Sequence, residues 1–108
     1  MTVPNFVGKY DLGDTVRLRA TVLGTDNLPA TPSSMVFIVK NPLGSVSSYV
    51  WQQAGASVVN TGAGAFFKDI EIGASTNMVG TWYYRAHASG LLSVAEEWTF
   101  LVQPSNVL

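Results

Sequence analysis

The apolar residues of this chain recur at every second position, which is the spacing of a β-strand. In TVRLRATV, residues 15–22, aliphatic residues alternate strictly with threonine and arginine. Successive side chains of a strand point to opposite faces, so this segment predicts a strand with one buried face. AFFKDIEI, residues 65–72, alternates in the same way, except that Lys68 falls on the apolar face. A β-bulge, or a lysine stem that reaches the surface at the sheet edge, would accommodate that residue.

Turn-forming residues separate the apolar segments at intervals of roughly 8–12 residues. MVFIVK, residues 35–40, is apolar on both faces and predicts a strand that is central or covered on both sides. KNPLGS after it predicts a tight turn, so that residues 35–51 form a hairpin. Together the segments predict an all-β fold, a single antiparallel β-sandwich of about seven strands. The sandwich is expected to span residues 10–102, after an N-terminal arm or edge strand at 1–9 and before a C-terminal tail at 103–108.

The segment GTWYYRAHASG, residues 80–90, is the most aromatic part of the chain. Folding it back on VAEEWTFLV about Leu91 brings aromatic residues together on one face and opposite charges together on the other. The predicted cross-strand pairs are Trp82 with Phe100, Tyr84 with Trp98, and Arg85 with Glu97. One face of this hairpin is therefore predicted to be core. The predicted core residues are Val16, Leu18, Ile70, Ile72, Trp82, Tyr84, Phe100 and Val102.

Asp69 and Glu71 lie two residues apart on one strand face, a spacing that can imitate a catalytic carboxylate pair. Arg17 and Arg19 alternate in the same way on a strand that neighbours this one in an Ig-type sandwich. A two-by-two ladder of opposite charges is therefore the favoured interpretation, and it would fix the register while contributing little stability.

Metal binding and other catalysis find little support in the sequence. The single histidine, His87, cannot form a typical structural zinc site in a chain without cysteine. Asp11 and Asp14, even with Asp26 or Glu96, lack the dense spacing of an EF-hand loop and are expected to cap a turn. We therefore predict no catalytic residue, no cofactor and no metal, and a protein that is not an enzyme.

Composition narrows the range of partners. The formal net charge is −1 with only six lysines and arginines, so nucleic acid is not expected as a partner. Charged residues make up 12% of the chain, against about 25% in average domains, which favours stable contacts with neighbouring proteins. The longest strongly apolar run is far shorter than the ~20 residues of a membrane-spanning helix, and the N-terminus lacks the pattern of a signal peptide. A soluble, cytoplasmically made chain is the expectation.

The order YDLGDTVRLRATV, a hairpin around VKNPLGS, GAGAFFKDIEI and GTWYYRAHASGLLSVAEEWTFLV resembles the small Ig-like β-sandwich proteins in the structural modules of tailed bacteriophages. The resemblance covers residues 10–102 and implies a non-enzymatic virion component with an Ig-like fold, made in the host cytoplasm. A capsid decoration protein that bridges major capsid subunits is the favoured form, and a head–tail connector or tail accessory protein is the alternative. The implied partners are other virion proteins, and the resemblance also allows a homo-oligomer.

Candidate interface residues lie mainly outside the predicted core. Val3, Phe6 and Val7 form an apolar segment that either docks on a partner or serves as the first edge strand. Trp98 stands where the family resemblance implies a small residue, so an outward-facing Trp98 would be an interface anchor.

Trp51 is the fifth candidate, and it supports a different class of function. If Trp51 and Tyr83 were exposed and coplanar, they could stack on sugar rings. A carbohydrate- or cell-surface-binding module is therefore a further alternative to the virion role.

Overall fold

The computed structural model describes residues 5–24, 26–73, 75–89 and 94–104. Within these ranges the chain forms strands and one turn of 3-10 helix, Thr76–Met78. The strands are β1 (Asn5–Asp11), β2 (Thr15–Thr21), β3 (Ser34–Lys40), β4 (Val46–Val50), β5 (Val59–Gly62), β6 (Ala65–Glu71), β7 (Gly80–Ser89) and β8 (Val94–Gln103). They form a five-stranded sheet in the order β1-β8-β7-β3-β4 and a three-stranded sheet in the order β2-β6-β5. The predicted all-β sandwich is confirmed, with one strand more than the seven expected.

The additional strand is β1, which lies at the edge of the five-stranded sheet and runs parallel to β8. Its pairing begins at Asn5 opposite Trp98 and ends at Asp11 opposite Gln103. The expected boundary at residue 10 therefore falls inside a strand, and the sandwich extends to Gln103 rather than Val102. Of the two alternatives for the N-terminal segment, its described part is an edge strand, whereas Val3 lies outside the described residues.

The predicted register of the aromatic hairpin is confirmed. Trp82 lies opposite Phe100, Tyr84 opposite Trp98 and Arg85 opposite Glu97. The Trp82 and Phe100 rings stack at 5.6 Å between centroids, and the Tyr84 and Trp98 rings stack at 4.8 Å. These side chains lie on the inner face of the five-stranded sheet, since Trp82, Tyr84 and Phe100 are all buried.

The hairpin of β3 and β4 turns where the sequence predicts it. Asn41 Oδ1 accepts hydrogen bonds from the backbone N–H groups of Leu43 and Ser45, both at 3.0 Å. Gly44 adopts a φ of 89°, which the absence of a Cβ makes inexpensive. The resulting hairpin places β3 between β7 and β4, so the predicted central strand is indeed central.

The core lies between the inner faces of the two sheets. All eight residues predicted for it are buried, and the core also takes in Phe37 of β3, which is fully buried. Aromatic side chains continue from one sheet to the other, because Trp51 packs edge-on against Phe66 at 5.0 Å. The sandwich is therefore closed by apolar contacts and needs no disulfide, in keeping with a chain that has no cysteine.

Lys68 lies on the inner face of β6, opposite Leu18, in a ladder that runs without a register shift. A bulge therefore does not explain it. Its side chain is 9% exposed, and its Nζ lies 4.5 Å from the centre of the Tyr49 ring. β5 pairs with β6 only as far as Phe67, so Lys68 lies where the edge of β6 is no longer covered by β5, and its ammonium makes a cation–π contact with Tyr49 of β4.

The predicted two-by-two charge ladder is wrong. The register places Asp69 opposite Arg17, but Arg19 opposite Phe67 and Glu71 opposite Thr15. Arg17 donates two hydrogen bonds to Asp69, from Nε at 2.8 Å and from Nη2 at 3.0 Å. This ion pair lowers the pKa of Asp69 below its ordinary value of 3.8. Both groups are exposed, so the pair contributes little to stability, and it occupies the carboxylate that a catalytic role would need free.

Tyr84 provides a pH-dependent test of the core. Burial raises the pKa of its phenol to about 12, because the phenolate is poorly solvated inside the sandwich. The folded pKa lies above the unfolded value of 10.0, so the stabilising contribution is complete below pH 10.0 and is lost as the pH rises toward about 12. We expect Tyr84→Phe to flatten that alkaline decline in the free energy of unfolding, measured in urea. The matched variant Tyr83→Phe should leave the decline in place, and an equal effect of both variants would contradict the assignment.

Candidate protein-binding face

The outer side of the five-stranded sheet presents the side chains that alternate with the core residues of β3, β4, β7 and β8. We call this surface the five-stranded face. Its described members include Val36, Ile38, Lys40, Val46, Ser48, Val50, Thr81, Tyr83, Arg85, His87, Glu97, Thr99 and Leu101. The sequence builds it because β3 is apolar at every position between Ser34 and Lys40, so that burying one side leaves aliphatic residues on the other.

The strand registers arrange this face in rows that cross the sheet. One row runs from Thr99 through Tyr83 and Lys40 to Val46. The next runs from Glu97 through Arg85 and Ile38 to Ser48. In a third row, His87 lies beside Val36, which in turn lies beside Val50. Aliphatic residues thus form a continuous area over β3 and β4, and charged groups lie beside it.

Several of these apolar side chains are open to solvent. Val46 is 60% exposed and Tyr83 is 42% exposed. Val36, Ile38 and Val50 are only half-buried, and the strands on either side account for that coverage. A central strand with aliphatic residues on both faces ordinarily occurs where both faces of the sheet are covered. Here the sandwich covers one of them.

The outer side of the three-stranded sheet has a different character. Arg17, Arg19, Asp69 and Glu71 all project from it, and the Arg17 guanidinium lies 3.9 Å from the centre of the Phe67 ring. Exposed charged residues are depleted at the centres of protein interfaces, because they must be desolvated. The five-stranded face also carries charges, at Lys40, Arg85 and Glu97, but apolar side chains outnumber them there, so it is the better candidate for a protein contact.

The tryptophans expected at an interface instead pack within the fold. Trp98 projects inward and stacks on Tyr84, so it does not meet the condition for an outward anchor. Trp51 packs against the core beside Phe66. Both keep a partly exposed edge, and a role for those edges in binding stays a prediction. The side chains of Phe6 and Val7, like the whole of Val3, lie outside the described part of the structure.

The geometry does not provide the aromatic platform on which sugar binding depends. Tyr83 projects from the five-stranded face. Trp51 donates its backbone N–H to the carbonyl of Met35 and projects with that buried residue to the inner side. Because the two rings lie on opposite sides of the sheet, they cannot stack together on one ligand.

The acidic side chains at the loops have structural partners. Asp14 Oδ2 accepts a hydrogen bond from the Asp11 backbone N–H at 2.8 Å, which confirms the predicted turn cap for Asp14. Asp26 Oδ1 accepts one from the Leu28 N–H at 3.1 Å. In the ranges that the structure describes, no three His, Cys, Asp or Glu residues are grouped so that they could hold a metal ion. No described helix is long and apolar enough to cross a membrane.

Two shallow grooves lie on the flanks of the sandwich. One, of about 260 Å³, is lined on the three-stranded side by residues that include Arg19, Thr21 and Thr61. The other, of about 150 Å³, is lined by residues that include Asn41, Ser47 and Glu71. Among the residues described in these two linings, no hydroxyl is hydrogen-bonded to a carboxylate, which is the contact that a nucleophile and its base make in a covalent catalytic site.

The two sheets, their strand order and the shared core define an Ig-like β-sandwich. Among solved structures, the chain is similar to the ZIG-8–RIG-5 IG1–IG1 heterodimer, with a TM-score of 0.53 and 10% sequence identity. The similarity covers 94% of this chain and 83% of the other chain. No family model and no curated protein matches the sequence. At this level of identity the comparison concerns the fold alone, and Ig-like sandwiches commonly serve as non-catalytic scaffolds.

Proposed function

We propose that this chain is a non-enzymatic structural protein that works by binding other protein subunits. In its specific form, the proposal is a virion protein of a tailed phage, a capsid decoration protein that bridges major capsid subunits. The observation that carries the first part is the five-stranded face, where Val46 and Tyr83 are exposed to solvent beside the half-buried Ile38 on a rigid sheet. The sequence resemblance to phage Ig-like proteins supports the second part.

The physical basis of such a contact is burial of apolar area. Removing apolar surface from water contributes about 25 cal/mol per Å², from which the entropic cost of association is subtracted. A face built on paired strands loses little further entropy on binding, because its backbone is already ordered. The low charge content of the chain also limits electrostatic repulsion between copies that crowd on a shell.

Two carboxylates that a catalytic site could use already have structural partners, which agrees with a non-catalytic role. Asp69 is held by Arg17, and Asp14 caps a turn. The exposed His87 lies beside Val36 on the five-stranded face, and among the described residues it makes no ion pair with an acidic side chain. Catalysis by histidine depends on a positioned partner that orients the ring and sets its pKa.

Quantitative mass spectrometry of purified phage particles tests the proposed role. We expect a copy number comparable to that of the major capsid protein, because a decoration protein binds repeating sites on the shell. An abundant host protein, measured in the same sample, controls for carry-over. A copy number that matches a single ring or spike would favour the head–tail connector or tail accessory alternative. Absence from the particles would overturn the virion role.

A further inference from the structure

We infer that the five-stranded face binds the same face of a second copy, forming a two-fold symmetric dimer. The inference rests on the proposed function in one respect, namely that this face is a protein-binding surface. We choose a second copy of this chain as the partner because the residues of the face can pair with residues of the same face. An isologous contact requires that each residue meet a suitable residue of the same surface.

The registers provide such a match about an axis that lies between β3 and β7 and runs along the strands. Rotation about this axis lays β7 of each copy over β3 of the other. Tyr83 of each copy then lies over Lys40 of the other, because the two residues are direct cross-strand neighbours. A lysine ammonium over a tyrosine ring is a favourable cation–π contact, and the symmetry produces it twice.

The same rotation also sets residues of the second row, from Glu97 to Ser48, against that row of the other copy. Arg85 lies over the aliphatic Ile38 of the other copy, where its methylene stem can pack. Glu97, on β8, is carried over Ser48 on β4, next to the row that contains Lys40. The rotation thus brings Glu97 of one copy near Lys40 of the other, while Arg85 of the first copy lies one row away from that lysine, so Lys40 faces charges of both signs. Within the described residues, Arg85 and Glu97 make no ion pair with one another that would compete.

The size of the face sets the expected strength. Four strands spaced about 4.8 Å apart, each presenting about seven residues of about 3.4 Å, give a footprint of roughly 450 Å². Side-chain relief makes the accessible area larger, which brings the face toward the low end of specific interfaces, where each partner buries about 600 Å². We therefore expect a reversible dimer with a dissociation constant on the order of micromolar.

Sedimentation equilibrium of the full chain over a series of concentrations tests this dimer. Val46→Lys adds a charge at an exposed position of the five-stranded face and should raise the dissociation constant at least about tenfold. Val59→Lys is the matched control, since Val59 is an exposed strand valine of the three-stranded sheet, and it should change the constant less than about twofold. Equal thermal stability of the two variants would show that both are folded. A control variant that weakens association as much as Val46→Lys would overturn the inference.

A charge exchange tests the orientation of the two copies. Lys40→Glu removes the contact with Tyr83 and brings two acids together, so it should weaken the dimer at least about tenfold. Adding Glu97→Lys restores opposite charges across the proposed axis and should recover part of the affinity, because the contact with Tyr83 stays lost. The absence of any recovery would contradict the two-fold arrangement.

The outcomes also separate this inference from the proposed function. A wild-type chain that stays monomeric at every concentration would overturn the dimer. Its copy number in particles would still decide the virion role. A chain that dimerises in solution but is absent from particles would support the dimer and overturn the virion role.

Discussion

Replacing Gly64 with alanine should lower the free energy of unfolding by about 3 kcal/mol or more. Gly64 has a φ of 69°, in the left-handed region that side chains disfavour. A Cβ at this position would also overlap the carbonyl oxygen of Val22 and lie 2.8 Å from the carbonyl oxygen of Ala30. These are backbone atoms held by hydrogen bonds from Val22 N–H to the Gly64 carbonyl and from Ala30 N–H to the Val22 carbonyl. They cannot move aside without breaking that network.

Gly13→Ala provides the matched control for this prediction. Gly13 has a φ of 90°, but nothing lies within 4 Å of the position its Cβ would take. The control should therefore show only the cost of a left-handed backbone, about 1–2 kcal/mol. Urea unfolding of both variants measures the difference. Equal losses would mean that the backbone around Gly64 relaxes and that close packing does not explain this glycine.

Phe100→Ala should lower the free energy of unfolding by about 3–5 kcal/mol, the usual cost of deleting a buried phenylalanine ring. Phe100 is fully buried and contacts three aromatic rings. The Trp82 ring stacks on it at 5.6 Å, Tyr10 packs edge-on at 5.7 Å, and Tyr84 lies tilted at 6.4 Å. Since these rings are held on two other paired strands, β1 and β7, they cannot all move in to fill the cavity.

For a domain of this size, the loss of Phe100 corresponds to a decrease in Tm of roughly 12–20 °C. Calorimetry or thermal circular dichroism measures this decrease. Leu28→Ala is the control, because Leu28 is 62% exposed in a loop and its loss should change stability by less than about 0.5 kcal/mol. A decrease for Phe100→Ala no larger than that of the control would contradict the central place of this ring.

Features that depend on local alternation and direct cross-strand pairing could be predicted from the sequence. The β7–β8 hairpin is the clearest case, because only one register pairs both Trp82 with Phe100 and Arg85 with Glu97. The strand β1 could not be predicted in this way. It pairs with β8, roughly ninety residues farther along the chain, and its own sequence NFVGKYD does not alternate regularly.

The β2–β6 register shows how charge alone can mislead. A shift of two residues leaves every side chain on the same face, so alternation does not distinguish one such register from the next. Exposed ion pairs are too weak to decide between them. The observed register keeps Leu18 opposite Lys68 and Phe67 under the Arg17 guanidinium, and it retains one ion pair where two were expected.

The candidate face was only partly foreseeable. The apolar character of both sides of MVFIVK indicated that β3 needs cover on two sides, and this signal points directly to Val36 and Ile38. The exposure of Val46 and the inward orientation of Trp98 depend on how the two sheets lie on one another. A periodicity of two shows which side chains share a face of the strand. It does not show which of the two faces the second sheet covers.

The short β5 has a consequence for how copies of this protein can meet. It pairs with β6 only as far as Phe67, and no described strand pairs with the rest of that edge. Three of the four remaining residues of β6 are charged, and one of them, Lys68, points inward. Charged side chains along an open edge, one of them pointing inward, discourage another strand from pairing there. The unpaired half of β6 is therefore a poor template for edge-to-edge association of copies of this chain.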